Sequence, residues 1–286
     1  MNLNFWLIQA FNGLSYGALL FLLGSGLSLI FGVMRIVNLA HGSYFLLGGY
    51  VALTVIWTTG SWALSIPIAA LVVAVVGLLM ERLFLRPLGF DPLRQVLLTV
   101  GFAFLFQQAA LDIWTGNNFD INPPDALTKS VVVGGLYLPL YRVFMIAIAV
   151  AIGIVLWLVM EKTRMGAMVR ATVDDAQMAR GVGIDTSRVS MFIFALGAFL
   201  AALGGVIGGA FLGIYPGLDF EILPLAFAVV IIGGMGSLGG AAIGALIVGL
   251  ADNFGKALFP EISYFTLYAP MALILAVKPT GLFGRE

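Results

Sequence analysis

The first 80 positions of this chain carry a single charged residue, Arg35. A helix needs about 20 mostly apolar residues to cross roughly 30 Å of hydrocarbon. The uncharged stretch before Arg35 therefore holds one span, and the stretch between Arg35 and Glu81 holds two. The rest of the 286 residues follows the same pattern, with 61% hydrophobic and 10% charged overall, against about 25% charged in an ordinary soluble domain. A single water-soluble domain is excluded. The pattern predicts an all-α polytopic transmembrane helical bundle, with residues 1–286 forming one domain. Met1-Asn2-Leu3-Asn4 lacks the basic residues that open a cleavable secretory signal, so the first segment is read as a retained span.

Marking the apolar stretches between charges gives nine spans, with eight or ten as the neighbouring solutions. They fall at about 5–33, 41–58, 63–82, 95–114, 140–160, 189–213, 222–236, 238–252 and 262–279. The pieces on either side of Gly233–Gly240 are short and glycine-broken, and one irregular helix or a re-entrant hairpin is the alternative there. Residues 115–139 have the Asn, Asp and Pro density of a loop outside the membrane, and Val131–Tyr137 within them reads as a short hairpin or an interfacial segment. Basic residues are retained on the cytoplasmic side. With the N-terminus outside and the C-terminus inside, eleven of the fourteen Lys and Arg face the cytoplasm, leaving Lys129, Arg142 and Lys256 outside. Acidic residues divide seven to seven, with Asp219 in an outside connection, and the spans hold almost no charge apart from Asp112 and Asp252 near their ends. The basic loop 161–188 is the firmest cytoplasmic element.

Zero Cys and one His exclude disulfide frameworks, thiolate metal sites and His-rich zinc or haem sites, and no cofactor is expected. Balanced charge gives no basic field for nucleic acid. The phosphate-cradling pattern G-x-x-x-x-G-K-[ST] is missing, so ATP-driven work would fall to another polypeptide.

Three motifs stand out. Arg35 to Tyr50 gathers Asn38, the only His (His41), Gly42, Ser43 and Tyr44 between apolar stretches. It reads either as a polar patch on a pathway at membrane depth, with Asn38 or Ser43 capping a helix whose positive end faces a substrate carboxylate, or as an ordinary cytoplasmic turn. Gly233-Gly234-Met-Gly236-Ser237-Leu-Gly-Gly240 cannot be a straight helix, and is either a break beside the pathway or a tight hairpin tip. Glycine is abundant, 36 residues, and most of it fits close helix packing through small residues four apart. Finally, Ala167–Arg180 reads as one amphipathic helix with Met168, Ala171, Asp175 and Met178 on a stripe, ended by Gly181 and Gly183. Such a helix either lies on the membrane surface or docks in a cleft of another protein.

The runs Gly32–Ser43, Arg170–Asp185 and Ile232–Ala241 resemble the permease subunits of branched-chain amino acid ABC importers, and the similarity extends over nearly the whole chain. That resemblance implies a second homologous permease, two cytoplasmic ATP-binding subunits, a periplasmic or extracellular substrate-binding protein, and a multi-pass place in a bacterial-type inner membrane. It implies that Asn38, His41, Gly42, Ser43, Tyr44, Gly233, Gly234, Gly236 and Ser237 lie on the translocation pathway. It also assigns Ala171, Asp175, Met178, Ala179, Gly183 and Ile184 to docking on the ATPase. The chain departs from the fuller Glu-Ala-Ala pattern of other ABC permeases, having Ala171, Asp174 and Asp175 in the comparable setting. The substrate stays open between leucine-type amino acids and urea, short amides or other amino acids. Two competing classes are a self-sufficient channel or secondary transporter for a small polar solute, and an intramembrane hydrolase with Ser25 as nucleophile and His41 as base.

Overall fold

A computed structural model describes residues 3–89 and 91–284. Arg285, counted above among the cytoplasmic basic residues, lies outside the described residues. The long helices are α1 (Leu3–Met34), α2 (His41–Thr59), α3 (Trp62–Met80), α4 (Pro92–Trp114) and, after a short α5 (Asp125–Thr128), α6 (Leu140–Lys162). Two short helices follow, α7 (Arg164–Asp174) and α8 (Ala176–Gly181), and then α9 (Thr186–Leu212), α10 (Leu218–Gly233), α11 (Leu238–Leu258) and α12 (Ser263–Val277). Each expected span is matched by one helix. Six of these helices are long and apolar enough to cross a bilayer by themselves: α1, α3 with its extension to Leu88, α4, α6, α9 and α11. The two pieces around the glycine run are separate helices packed on each other.

Polar residues at the helix starts explain where the helices begin. Asp91 accepts from the Arg94 N–H with Pro92 in the first turn, and Ser61, Asp185 and Ser237 cap α3, α9 and α11 in the same way. Each such cap contributes about 0.5–2 kcal/mol. Strands β1 (Ser130–Val133) and β2 (Leu136–Pro139) form the expected hairpin. Gly134 and Gly135 both have positive φ (58° and 83°), the requirement of the two-residue turn that matches strand twist.

The core is α1 wrapped by α11, α9, α10 and α6, with α2 and α3 packed on α9. Small residues let these backbones meet: a Cβ on Gly26 would lie 2.7 Å from the Gly197 carbonyl, and one on Gly17 equally close to that of Ala245. Helices α4 and α6 instead present large apolar side chains outward, among them Leu97, Phe104, Ile154 and Trp157, as a lipid-facing rim requires. The end of the bundle that holds residues 81–94 and α7–α8 carries most of the Lys and Arg, and is called the basic end below.

The loop 161–188 departs from expectation. Instead of one helix over 167–180, the chain breaks at Asp175, which is extended (φ −153°, ψ 103°) and starts α8 as its cap, its Oδ1 accepting from Gln177 N–H at 2.8 Å and Met178 N–H at 3.0 Å. Asp is a poor interior helix residue and a strong cap, so two short helices replace one and the single Met168–Met178 stripe does not exist.

Candidate functional site

The segment Arg35–Ala40 does not simply turn around at the end of α1. His41 is fully buried, and its Nε2 donates to the carbonyl of Leu23 at 3.0 Å, eleven residues back from Met34, or about 16 Å along the helix at 1.5 Å per residue. A carbonyl only accepts, so Nε2 carries the proton. Six residues reach at most about 20 Å when extended, so this segment climbs back into the bundle, turning at Arg35 (φ 54°) and again where the His41 N–H donates to the Asn38 carbonyl at 3.3 Å, and α2 starts deep inside it. The reading as an ordinary surface turn fails. Two interactions hold the return: Leu39 N–H donates to Thr99 Oγ1 of α4 at 3.2 Å, and Asn38 Oδ1 accepts from Ala40 N–H at 3.1 Å. Asn38 therefore closes the turn before α2, whose N-cap residue is Ala40 with no side-chain cap, so the expected capping of the helix by Asn38 or Ser43 is not made.

Ser43 does something else. Its hydroxyl donates to Asp219 Oδ2 at 2.9 Å. Asp219 sits in the first turn of α10 with 2% exposure, so one carboxylate lies against the positive ends of two helices, α10 and α2, where a negative charge is favoured. Gly42 makes that approach possible, since a Cβ there would collide with the Asp219 carbonyl and stand 3.1 Å from Leu223 Cβ. Tyr44, wholly buried, sends its hydroxyl to Met80 Sδ at 2.9 Å. Asp219 was expected in an outside connection. With Glu81, whose residue exposure is also 2%, it corrects the expectation that the spans bury almost no charge. The available sequence signal was an Asp two residues after the Pro216-Gly217 helix start; its partner lies 176 residues away.

The second predicted group lies nearer the basic end. Ser28 Oγ donates to the Ser237 carbonyl at 3.3 Å, and a Cβ on Gly32 would be 2.8 Å from Gly236 Cα. On α1 these contacts are five and nine residues beyond Leu23, about 8 and 13 Å, so the two predicted groups are stacked along α1 rather than joined in one site. Gly233 and Gly234 are buried, and the Gly233 carbonyl accepts from Phe283 N–H at 3.0 Å, which pins the C-terminal segment under the turn. Gly236 and Ser237 border a cavity of about 890 Å³ between α1, α6, α7 and the start of α11, whose walls include Phe31, Trp157 and Arg35.

The residues expected at the ATPase divide. Met178 is 70% exposed and Gly183, with φ 90°, lies on the surface, whereas Ala179 is only 3% exposed and Ala171 and Ile184 are half-buried. The apolar residue that sequence reasoning missed is Val182, 77% exposed beside Met178. Backbone N–H groups of Met178 and Gln177 hold the Asp175 carboxyl below its ordinary range. Ser25, the nucleophile of the hydrolase reading, spends its hydroxyl on the Leu22 carbonyl of its own helix at 3.1 Å.

A profile described as the permease component of the branched-chain amino acid transport system matches residues 9–275. The chain belongs to this family. Among its relatives, the high-affinity branched-chain amino acid transport system permease protein LivH of Salmonella typhimurium is 31% identical over 98% of this chain and 96% of its own length. BraD of Pseudomonas aeruginosa, likewise a high-affinity branched-chain amino acid permease protein, is 28% identical over the same shares. LivM of Salmonella typhimurium, another permease protein of that transport system, is 26% identical over 91% of this chain and 67% of its own. No solved structure matches. The relatives are transport permeases rather than enzymes, and membership places this permease, with its several membrane-spanning helices, in the inner membrane as a multi-pass protein.

Proposed function

We propose that this permease forms, with a second homologous permease, the translocation pathway of an ABC importer for branched-chain or related amino acids. Two cytoplasmic ATP-binding subunits would drive it and a periplasmic or extracellular binding protein would supply it. The relatives' transport of branched-chain amino acids supports the substrate class. The crowding of Lys and Arg at the basic end supports placing that end in the cytoplasm, with the N-terminus outside.

The observation that carries the coupling half is the α8 surface. Met178 and Val182 expose large apolar side chains at the basic end, and Met adapts to irregular clefts. In this reading α8 is the piece the ATPase grips, and Ala171, Asp175, Ala179, Gly183 and Ile184 fix its shape from behind. The buried group of Asn38, His41, Gly42, Ser43, Tyr44 and Asp219 acts as a gate at bilayer depth. Gly233, Gly234, Gly236 and Ser237 form the pivot below it, as rigid-body rocking around a broken segment requires.

The chain has no Cys, so single replacements at Met178, Val182 and Ala179 make a clean cross-linking set in the assembled transporter. Met178→Cys and Val182→Cys should capture an ATP-binding subunit while buried Ala179→Cys should not. Labelling of 178 and 182 by lipid or detergent alone ends the coupling assignment. Asp219 supports one other reading, because a proton-coupled carrier for urea, amides or similar solutes needs a buried carboxylate. Gradient-driven, ATP-independent uptake by the purified chain in proteoliposomes would select that reading instead.

A further inference from the structure

Helices α3, α4 and α6 each turn one side out of the bundle. The outward residues of α3, and those of α6 over residues 143–160, are all apolar, as lipid contact requires. Helix α4 differs. Its outward side runs Leu97, Gly101, Phe104, Gln108 and Asp112, at steps of four and three that keep one helix face, while the buried Thr99, Ala103, Phe106 and Ala110 hold the opposite face. Leu97 and Phe104 suit lipid, but Gly101, Gln108 and Asp112 do not.

Gly101 has no packing reason within the chain. A Cβ there would meet nothing within 4 Å among the described residues, whereas every other glycine in the long helices, apart from Gly239 at the start of α11, has a neighbour inside that distance. Glycine inside a helix costs stability relative to alanine, and what it gains in a membrane helix is the close approach of a second helix. Gln108 lies at hydrocarbon depth. Arg94 and Trp114 suit the two interfaces; they are separated by about 30 Å of helix, with Gln108 about 9 Å inside Trp114. Gln108 Nε2 donates to Asp112 Oδ1 at 3.0 Å, and the amide oxygen and the other carboxylate oxygen have no partner among the described residues. Acyl chains offer no donor to satisfy them.

We propose that this face of α4 packs against one membrane-spanning helix of the second permease, which comes closest at Gly101 and supplies a hydrogen-bond donor to Gln108 and Asp112. The proposal rests on the reading of the chain as half of a permease pair. In that assembly the ATP-binding subunits and the binding protein lie outside the bilayer, so the second permease is the partner that reaches this depth. Phe104 also meets Phe220 of α10, with ring centroids 5.6 Å apart, and Phe220 directly follows Asp219. The seam between the two permeases therefore runs beside the buried Ser43–Asp219 contact, and a shift of one permease against the other reaches that contact through a single ring pair.

The chain has no Cys of its own, so photo-cross-linkers anchored on single cysteines in the assembled transporter test this. Probes on Gly101→Cys and Gln108→Cys should capture a protein that mass spectrometry identifies as the second permease, while Val72→Cys on α3 and Ile154→Cys on α6 should label lipid alone. Gly101→Leu should lower co-purification of the second permease at least several-fold, yet leave thermal unfolding of the full-length chain purified by itself no worse, because the added side chain meets nothing there. Gln108→Leu with Asp112→Leu should weaken the pairing in the same way. If the probes at 101 and 108 label lipid alone in a transporter that retains its second permease, or if Gly101→Leu leaves co-purification undiminished, this face is overturned and the pairing stands. If no second permease co-purifies with the unaltered chain, both fall. Capture of a second copy of this chain instead, or reaction of Gly101→Cys with a charged, membrane-impermeant thiol reagent as on the wall of an aqueous pathway, also overturns the proposal.

Discussion

Helices α2 and α11 both start at polar residues inside the bundle, and their starts have opposite surroundings. At α2 the polar groups are shut in: Asn38 holds the turn before the helix, Ser43 donates to Asp219, His41 donates to the Leu23 carbonyl, and the side chains of Asn38, His41, Ser43 and Asp219 are all buried. At α11, Ser237 caps the helix by accepting from Gly240 N–H at 3.0 Å, but the turn before it borders open space. A polar side chain that accepts from a backbone N–H at a glycine-flanked helix start belongs to a sealed junction in one place and to the rim of a cavity in the other. What differs is the third element. A carboxylate from α10 fills the space in front of α2, and no side chain among the described residues fills the cavity in front of α11. A pathway that opens and closes needs both kinds of surface, one that can part and one that is already open.

The comparison breaks most readily at Gly42. Gly42→Val forces a branched side chain against the Asp219 backbone, and a loss of about 3 kcal/mol or more, the upper end of overpacking costs, is expected in denaturant titration of the reconstituted chain. Asp219→Ala should come next, at about 1–3 kcal/mol for leaving the buried Ser43 hydroxyl without its acceptor. Asp219→Asn keeps an acceptor oxygen and should recover most of that loss. If Asp219→Ala costs no more than removing the α11 cap, the two helix starts are alike and the sealed junction is a misreading. Ser237→Ala sets that scale, with about 1 kcal/mol expected for a lost cap and little change in the buried group around His41.

The smallest effect concerns α8, where only a surface cap is at stake. The Asp175 carboxylate accepts two backbone N–H groups, which depresses its titration in the folded chain. Its contribution is therefore complete above the ordinary carboxylate value of about 3.9 and is lost as pH falls through the lower folded value. Pepsin cleavage within residues 175–183 should rise as pH drops from 4 toward 2, and Asp175→Ala should cleave readily across that range without the pH dependence.

The helices were legible because charge stops an apolar run abruptly: Arg35, Glu81, Arg94 and Lys162 lie within two residues of an observed helix end. The hairpin was legible for a comparable reason, two glycines between β-branched and aromatic residues. The break at Asp175 was written in the sequence as an acidic doublet, but a stripe of Met and Ala at helical spacing outweighed it. The buried site was only half legible. Asn38, His41 and Ser43 drew attention as polar residues among apolar ones, whereas Asp219 looks like any loop acid until α10 is packed against α2. Similarly, nothing local distinguishes exposed Met178 from buried Ala179; the direction from which α9 approaches decides it.

The return of Arg35–Ala40 from the end of α1 to the depth of Leu23 covers about 16 Å, against about 20 Å for six residues at full extension. Arg35 in the left-handed region and the turn closed by the His41 N–H on the Asn38 carbonyl take up part of that reach, which leaves little slack. Deleting two residues would leave about 13 Å at most, too little to keep His41 at its carbonyl, so this stretch should not tolerate that shortening while the 115–139 loop can vary in length. A strap pulled this tight does not absorb displacement. When the basic end of α1 moves, the start of α2 must move with it.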